Sequence, residues 1–257
     1  MSRACLLLHG FVTSYHDFDP LIPKLKEIYD CVATVDFPGH GDEPNYKMFN
    51  EAETFDVMLN AFDELKREYE EVDVVGFSMG GALASYLCSC RDVHRAVLLA
   101  PANRYINISL PITRIIYLLR IIHNRLLSKD ENEELMKKYS DVMTDDYKSL
   151  QMALKDLIPN YTYHTLTTFI RIIRHCNEGL TTIPNPTLVI WGEFDQLVPR
   201  KSVDSIIEIC TNEDCELVVF DDISHLMLRS TSKDIIINKI VSFLKKEGKA
   251  LSDSSNS

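Results

Sequence analysis

The sequence has little positive charge and no long apolar run. Its 257 residues contain 27 Lys and Arg against 38 Asp and Glu, which gives a net charge of -11. An excess of acidic residues argues against binding to nucleic acid or to an anionic membrane surface, since both usually require a basic patch. No stretch approaches the roughly 18 uninterrupted apolar residues of a membrane span, and the apolar run near Leu6 is too short for a signal peptide. We therefore expect no stable membrane insertion.

Paired cysteine motifs and ligand-spaced clusters are also missing. The seven cysteines are an odd number without a Cys-x-x-Cys pair, which fits a reducing cytoplasm better than a disulfide framework. There is no His/Cys cluster with metal-ligand spacing and no glycine-rich phosphate loop, so we expect neither a metal nor an organic cofactor. The turn Pro38-Gly39-His40-Gly41 lacks the spacing of a dinucleotide fingerprint.

Short apolar runs alternate with longer amphipathic segments, which is typical of parallel strands joined by helices. The sequence therefore predicts an α/β fold with a mostly parallel, doubly wound sheet of about six strands. The predicted strands are Ala4 to Leu8, Cys31 to Asp36, Val72 to Phe77, Ala96 to Ala100, Thr187 to Trp191 and Cys215 to Phe220. The predicted helices are Phe18 to Tyr29, Glu51 to Tyr69, Met79 to Cys90, Lys201 to Thr211 and Thr231 to Lys246.

The alternation stops in the middle of the chain. Residues 1–102 and 183–247 are predicted to form the core, 103–182 an inserted helical cap, and 248–257 a disordered tail. In the cap, Ile112 to Leu127 combines apolar residues with three arginines. One interpretation is an amphipathic helix packed on the core. The other is an apolar lid over an acyl pocket.

The pentad Gly76-Phe77-Ser78-Met79-Gly80 lies between a predicted strand and a predicted helix. This is the context of a nucleophile elbow, in which a strained turn lifts the serine hydroxyl above the sheet. The glycines remove the Cβ atoms that would clash at such a turn. An ordinary strand-to-helix turn is the alternative. The pattern makes Ser78 the candidate nucleophile.

A serine nucleophile needs a base, and a base needs an orienting carboxylate. His225 follows the sixth predicted strand and Asp195 follows the fifth, so both belong to the same sheet edge as Ser78. The other carboxylates that could serve are Glu193, Asp221 and Asp222. The histidines predicted to be structural or surface residues are His9, His94, His123, His164 and His175.

An acyl-transfer site also needs donors for the oxyanion that forms on the carbonyl oxygen. His9-Gly10-Phe11 follows the first predicted strand, and Met79 follows Ser78. The backbone amides of Phe11 and Met79 are the predicted pair.

The chain resembles the α/β-hydrolase superfamily over nearly its whole length. The resemblance rests on the segments around His9, Ser78 and His225 described above and on two more, Asp36-Phe37-Pro38-Gly39-His40-Gly41 and Trp191-Gly192-Glu193-Phe194-Asp195. Within the superfamily, the chain is similar to bacterial carboxylesterases and monoacylglycerol lipases. Two features differ: the chain starts directly at the strand before His9, where the family has antiparallel strands, and Phe77 replaces a frequent histidine. Neither change affects a predicted catalytic group.

The resemblance implies a serine hydrolase that cleaves a carboxylic ester with an apolar acyl group through an acyl-enzyme on Ser78. Two alternatives remain. The same triad could hydrolyse a carbon-carbon bond or perform a lyase step, or the protein could bind a small ligand without converting it. The sequence does not indicate the substrate or the oligomeric state.

Overall fold

A computed structural model of the protein describes residues 1–103, 163–195 and 197–246. Within these residues the strands are β1 Arg3–Leu8, β2 Cys31–Thr34, β3 Glu71–Phe77, β4 Ala96–Leu99, β5 Thr187–Gly192 and β6 Cys215–Phe220. They form one sheet of six parallel strands in the order β2-β1-β3-β4-β5-β6. The predicted α/β class and sheet are confirmed.

Helices connect these strands. The described α-helices are α1 Ile22–Leu25, α2 Glu51–Glu68, α3 Met79–Cys90, α4 Tyr163–Gly179, α5 Arg200–Ile207 and α6 Lys233–Leu244. Helices α2, α3 and α4 contact one another, whereas α1 contacts α6. Short 3-10 helices are found at Tyr15–Phe18, Tyr46–Met48 and Met227–Arg229.

The central strands are apolar because helices cover both sheet faces. Every residue of β4 and β5 is buried, and so are all residues of β1 and β3 except the first. Strands covered on both sides read as continuous apolar runs rather than as an alternating pattern. The residues of the edge strands β2 and β6 are mostly half-buried. The core therefore lies along β1, β3, β4 and β5.

Helix α2 shows how local sequence fixes an element. The side chain of Asn50 accepts a hydrogen bond from the Glu53 amide at 3.2 Å, which caps the helix N-terminus. Glu51 and Glu53 lie in the first turn, and Lys66 and Arg67 in the last. These charges complement the helix dipole at both ends.

Some predicted boundaries were wrong. The helix predicted over Phe18 to Tyr29 is confined to Ile22–Leu25. Pro23 lies in its first turn, where proline is tolerated, whereas a helix that began at Phe18 would place Pro23 in its interior. The second strand ends at Thr34 rather than Asp36. The fourth helical stretch ends at Ile207, four residues early.

His94 precedes β4, and its Nδ1 lies 2.7 Å from the Asp73 Oδ1. The predictions for 104–162, which include Ile112 to Leu127 and His123, and for the tail from 247 lie outside the described residues.

Candidate active site

Ser78 lies at the junction of β3 and α3 in a strained backbone conformation. Its φ is 54° and its ψ is -113°, a region that L-residues rarely adopt. The Ser78 amide donates to the Leu99 carbonyl at 2.9 Å, and its carbonyl accepts from the amides of Ala82 at 3.1 Å and Ala102 at 3.0 Å. The turn is thus held from β4 and from α3.

The flanking glycines allow this turn to pack closely. A Cβ on Gly76 would lie 2.2 Å from the Gly80 carbonyl oxygen, and one on Gly80 would lie 1.9 Å from the Leu8 carbonyl oxygen. Real atoms cannot approach so closely, so both positions require glycine. The close approach also sets the start of α3 against the end of β1.

His225 follows β6 and contacts both partners that the sequence predicts. Its Nε2 lies 3.0 Å from the Ser78 Oγ, and its Nδ1 lies 2.7 Å from the Asp195 Oδ2. A carboxylate accepts only, so Nδ1 carries the proton, which leaves Nε2 as an acceptor for the serine hydroxyl. The Phe77 ring packs 5.0 Å from the imidazole.

Asp195 is fixed by its own loop. The second carboxylate oxygen, Oδ1, accepts the amides of Leu197 and Val198, each at 2.8 Å. The Trp191 indole N–H donates to the Val198 carbonyl at 2.8 Å, which anchors the loop on β5. Asp195 is buried, because only 6% of its surface is exposed.

The alternative carboxylates lie elsewhere. Glu193, Asp221 and Asp222 are all exposed. Asp195 is the carboxylate that contacts His225 in the part of the chain that the structure describes. The structure thus brings Ser78, Asp195 and His225 together, while their catalytic roles stay predictions.

The loop after β1 is fixed by a buried histidine. The Phe37 amide donates to the His9 Nε2 at 3.1 Å, so the proton resides on Nδ1, which donates to the Gly10 carbonyl at 2.8 Å. Burial lowers the pKa of His9 to about 4 and keeps the ring neutral. In a trans peptide the carbonyl and the next amide point in opposite directions. The bond to Gly10 therefore contributes to the orientation of the Phe11 amide.

Two further residues near the site were missed from the sequence. Asp17 is almost fully buried, and its Oδ1 accepts from the Arg229 Nη2 at 2.7 Å. Burial raises the pKa of Asp17, and the positive charge of Arg229 opposes this rise. The pair connects the segment after the His9 loop with the segment that carries His225. The sequence signal that could have indicated Asp17 was its position directly before the apolar Phe18.

Two aromatic side chains from other segments pack against Phe11. The Phe169 ring of α4 stacks on the Phe11 ring at 4.4 Å, and the Phe49 ring lies 5.8 Å from Phe11. The His164 Nε2 lies 3.0 Å from the Phe49 carbonyl oxygen and donates to it. Helix α4 therefore contributes directly to an apolar wall beside the predicted oxyanion site.

The described residues contain no group of three or more His, Cys, Asp or Glu side chains that could hold a metal ion. Among the same residues, no helix is both long and apolar enough to cross a membrane.

The family pattern named Hydrolase_4 and described as serine aminopeptidase, S33, matches residues 1–232 of this sequence. The chain belongs to the Hydrolase_4 family. The match covers the strand ends that carry Ser78, Asp195 and His225. The chain is therefore an α/β hydrolase, as the resemblance implied.

Relatives of this Hydrolase_4 chain include named esterases and lipases. The pimeloyl-[acyl-carrier protein] methyl ester esterase of Neisseria meningitidis is 36% identical over 83 residues, which span 32% of this chain and 30% of that protein. The chain thus matches less than a third of that relative's length. The thermostable monoacylglycerol lipase of a Bacillus species is 24% identical over 247 residues, which span 94% of this chain and 90% of the lipase.

Solved structures share the fold of this Hydrolase_4 chain. The monoacylglycerol lipase of Paleococcus ferrophilus has a TM-score of 0.64 and 19% identity, and the match covers 94% of this chain and 93% of the lipase. A meta-cleavage product hydrolase from Pseudomonas fluorescens has a TM-score of 0.59 and 23% identity, with 95% and 90% covered. At these identities the similarity establishes the fold.

Proposed function

We propose that this hydrolase cleaves a carboxylic ester through an acyl-enzyme on Ser78, with His225 as the base and Asp195 as its orienting carboxylate. The observation that carries the proposal is the continuous contact from Asp195 through His225 to the Ser78 Oγ, at 2.7 Å and 3.0 Å. Both distances lie within the range required for proton transfer between positioned groups.

The reaction proceeds in two halves. His225 takes the Ser78 proton at Nε2 while the serine oxygen attacks the acyl carbonyl, and the backbone amides of Phe11 and Met79 hold the oxyanion. His225 then protonates the leaving alcohol, and the acyl group remains on Ser78. In the second half, His225 takes a proton from a water molecule whose oxygen attacks the acyl carbonyl of the acyl-enzyme. His225 then returns this proton to the Ser78 oxygen as its bond to the acyl group breaks, which releases the carboxylic acid.

The surroundings favour an apolar acyl group. Phe11, Phe49 and Phe169 form an aromatic wall that includes the residue carrying one of the predicted oxyanion amides. A medium-length acyl ester or a monoacylglycerol-like ester presents a carbon chain that such a wall can bury. The similarity to a monoacylglycerol lipase over 94% of the chain supports this substrate class.

Two further parts of the proposal concern organisation and location. We place the cap at 103–182 between the core segments 1–102 and 183–247, because α4 packs on α3 and on the Phe11 loop. We also propose a cytoplasmic location, since all seven cysteines are free thiols.

Covalent labelling tests the nucleophile. A fluorophosphonate probe should add one label to the wild-type protein, detected by intact mass, and none to Ser78→Ala. Ser89→Ala is the matched control, because Ser89 is another serine of α3, with its hydroxyl bonded to the Thr182 carbonyl. It should label like the wild type. A wild-type protein that is folded but does not label would contradict the proposal.

A series of nitrophenyl esters then tests the reaction. Asp195→Asn should lower kcat by about 10⁴-fold, because the amide no longer holds the required imidazole tautomer. Asp222→Asn changes an exposed carboxylate in the neighbouring loop and should leave kcat within about twofold. If nitrophenyl esters are inert while a carbon-carbon substrate of the meta-cleavage type is cleaved, the ester assignment is wrong although the triad is retained.

A further inference from the structure

His40 belongs to the turn Pro38-Gly39-His40-Gly41, for which the sequence predicts no catalytic or binding role. The ring is buried, with 8% of the residue exposed. Its Nε2 lies 3.2 Å from the Val12 backbone nitrogen, and its Nδ1 lies 3.1 Å from the Pro38 carbonyl oxygen. A backbone amide can only donate and a carbonyl can only accept. His40 is therefore a neutral imidazole with its proton on Nδ1 and its acceptor on Nε2.

The position of this ring is fixed from several sides. It packs edge-on against the rings of Tyr46 at 5.1 Å and Phe49 at 4.8 Å. The His40 amide donates to the Phe37 carbonyl at 2.9 Å. Gly39 has a φ of 76°, and a Cβ there would lie 2.6 Å from the Asn45 carbonyl oxygen, so the turn cannot be remodelled easily. The acceptor atom is thus held in one place.

Val12, the residue that receives this support, is itself strained. Its φ is 58°, which is rare for a β-branched residue because its side chain crowds the backbone there. Strained residues persist only where neighbouring contacts hold them. The bond from the Val12 amide to His40 is such a contact.

This bond and the one from His9 orient two consecutive peptide groups of the oxyanion loop. His9 holds the Gly10 carbonyl, which belongs to the peptide that carries the Phe11 amide. His40 holds the Val12 amide, which belongs to the next peptide. With one contact on each peptide, rotation of the Phe11 backbone is restricted on both sides. The direction of the Phe11 amide depends on both histidines.

We propose that His40 is a positioning residue of the oxyanion site, which holds the Val12 amide so that the neighbouring Phe11 amide points at the developing oxyanion. The inference rests on the proposed function of Ser78 and Phe11. It extends that function, because the His40 ring bonds to Val12 and Pro38 and not to a residue of the predicted triad. The competing interpretation is a core histidine that only satisfies its own hydrogen bonds.

Two substitutions separate these interpretations. His40→Phe keeps an aromatic ring against Tyr46 and Phe49 but has no acceptor for Val12. His40→Gln retains an acceptor oxygen at about the same reach as Nε2. We expect His40→Phe to lower kcat on a nitrophenyl ester by about 10- to 100-fold with KM within about threefold, because the loss falls on the transition state. His40→Gln should recover most of this loss.

A tetrahedral inhibitor gives an independent readout. A trifluoromethyl ketone with an acyl-like chain forms an oxyanion on Ser78, so its Ki should rise in His40→Phe by about the factor by which kcat/KM falls. His16→Gln is the control, because His16 is exposed on the segment after the same loop and bonds only to Asp19 and Asp42 among the described residues. It should leave both values unchanged.

The outcomes are distinguishable. If the wild type labels at Ser78 and His40→Phe is folded with wild-type kcat and Ki, the positioning role is wrong and the proposed function stands. If the wild type neither labels nor cleaves esters, both are wrong. If His40→Phe does not fold, His40→Asn replaces it, since this shorter side chain can reach Pro38 but not Val12. Equal kcat values for His40→Asn and His40→Gln would then overturn the proposal.

Discussion

Replacing Ser78 with glycine should stabilise the protein relative to replacing it with alanine. Both variants lack the hydroxyl, so they differ only in the Cβ. With φ at 54° and ψ at -113°, a Cβ is strained, and this strain is worth about 1 to 3 kcal/mol. Glycine loses more backbone entropy on folding, which offsets about 0.5 to 1 kcal/mol of that gain. The expected net difference is about 1 kcal/mol in favour of Ser78→Gly.

Urea denaturation and a thermal melt at neutral pH measure this difference. For a chain of this length, about 1 kcal/mol corresponds to a rise of about 2 to 4 °C in Tm. Ala82→Gly is the matched control, because Ala82 lies in the same buried helix with ordinary helical geometry. It should destabilise the protein by about 1 kcal/mol. The reasoning is refuted if Ser78→Gly is no more stable than Ser78→Ala.

Three other perturbations follow from the structure. Gly80→Ala should abolish folding or cost more than about 4 kcal/mol, measured by soluble yield and thermal melt, because its Cβ would meet the Leu8 carbonyl oxygen at 1.9 Å. Burial lowers the pKa of His40 to about 3, so between this value and about 6.5 the unfolded state binds one more proton at this site, and stability falls as the pH falls. In His40→Gln, the loss of unfolding free energy with falling pH should be smaller by about 1.4 kcal/mol per pH unit. Urea melts at pH 7 and pH 5 measure this loss, and an equal loss in the variant and the wild type would contradict the prediction. Tyr29→Phe should cost about 1 to 3 kcal/mol in the same melts, because the Tyr29 hydroxyl donates to the fully buried Asp73 carboxylate, and a variant as stable as the wild type would refute this.

The residues at the strand ends could be predicted because topology alone brings them together. Parallel strands place their carboxyl ends at one edge, so Ser78 after β3, Asp195 after β5 and His225 after β6 must share that edge once the strands are recognised. Short apolar runs were sufficient to identify the six strands among the described residues. Periodicity was less reliable for the first helix, where Pro23 determines the start and apolar spacing does not.

The supporting contacts could not be predicted in this way. Asp17 and Arg229 are 212 residues apart. Each lies in a 3-10 helix of three or four residues, which is too short to give a periodic signal. The contact between His40 and Val12 depends on a ring orientation and on a positive φ, neither of which the residue types specify. Sequence patterns indicate which helix, strand or loop a residue belongs to. They do not indicate which residues of two separate loops contact each other.

The hydrogen bonds around Asn103 have a consequence for how such enzymes diversify. Ala102 is bonded to the Ser78 carbonyl, and the Asn103 side chain donates to the Ser85 hydroxyl at 2.8 Å. On the returning helix α4, the Asn177 side chain donates to the Asn103 carbonyl. Hydrogen bonds thus connect Asn103 both to α3, through Ser85, and to α4, through Asn177. None of these bonds involves a residue between 104 and 162. Sequence changes in that segment can therefore accumulate without removing a donor or an acceptor from the contacts that hold the turn at Ser78.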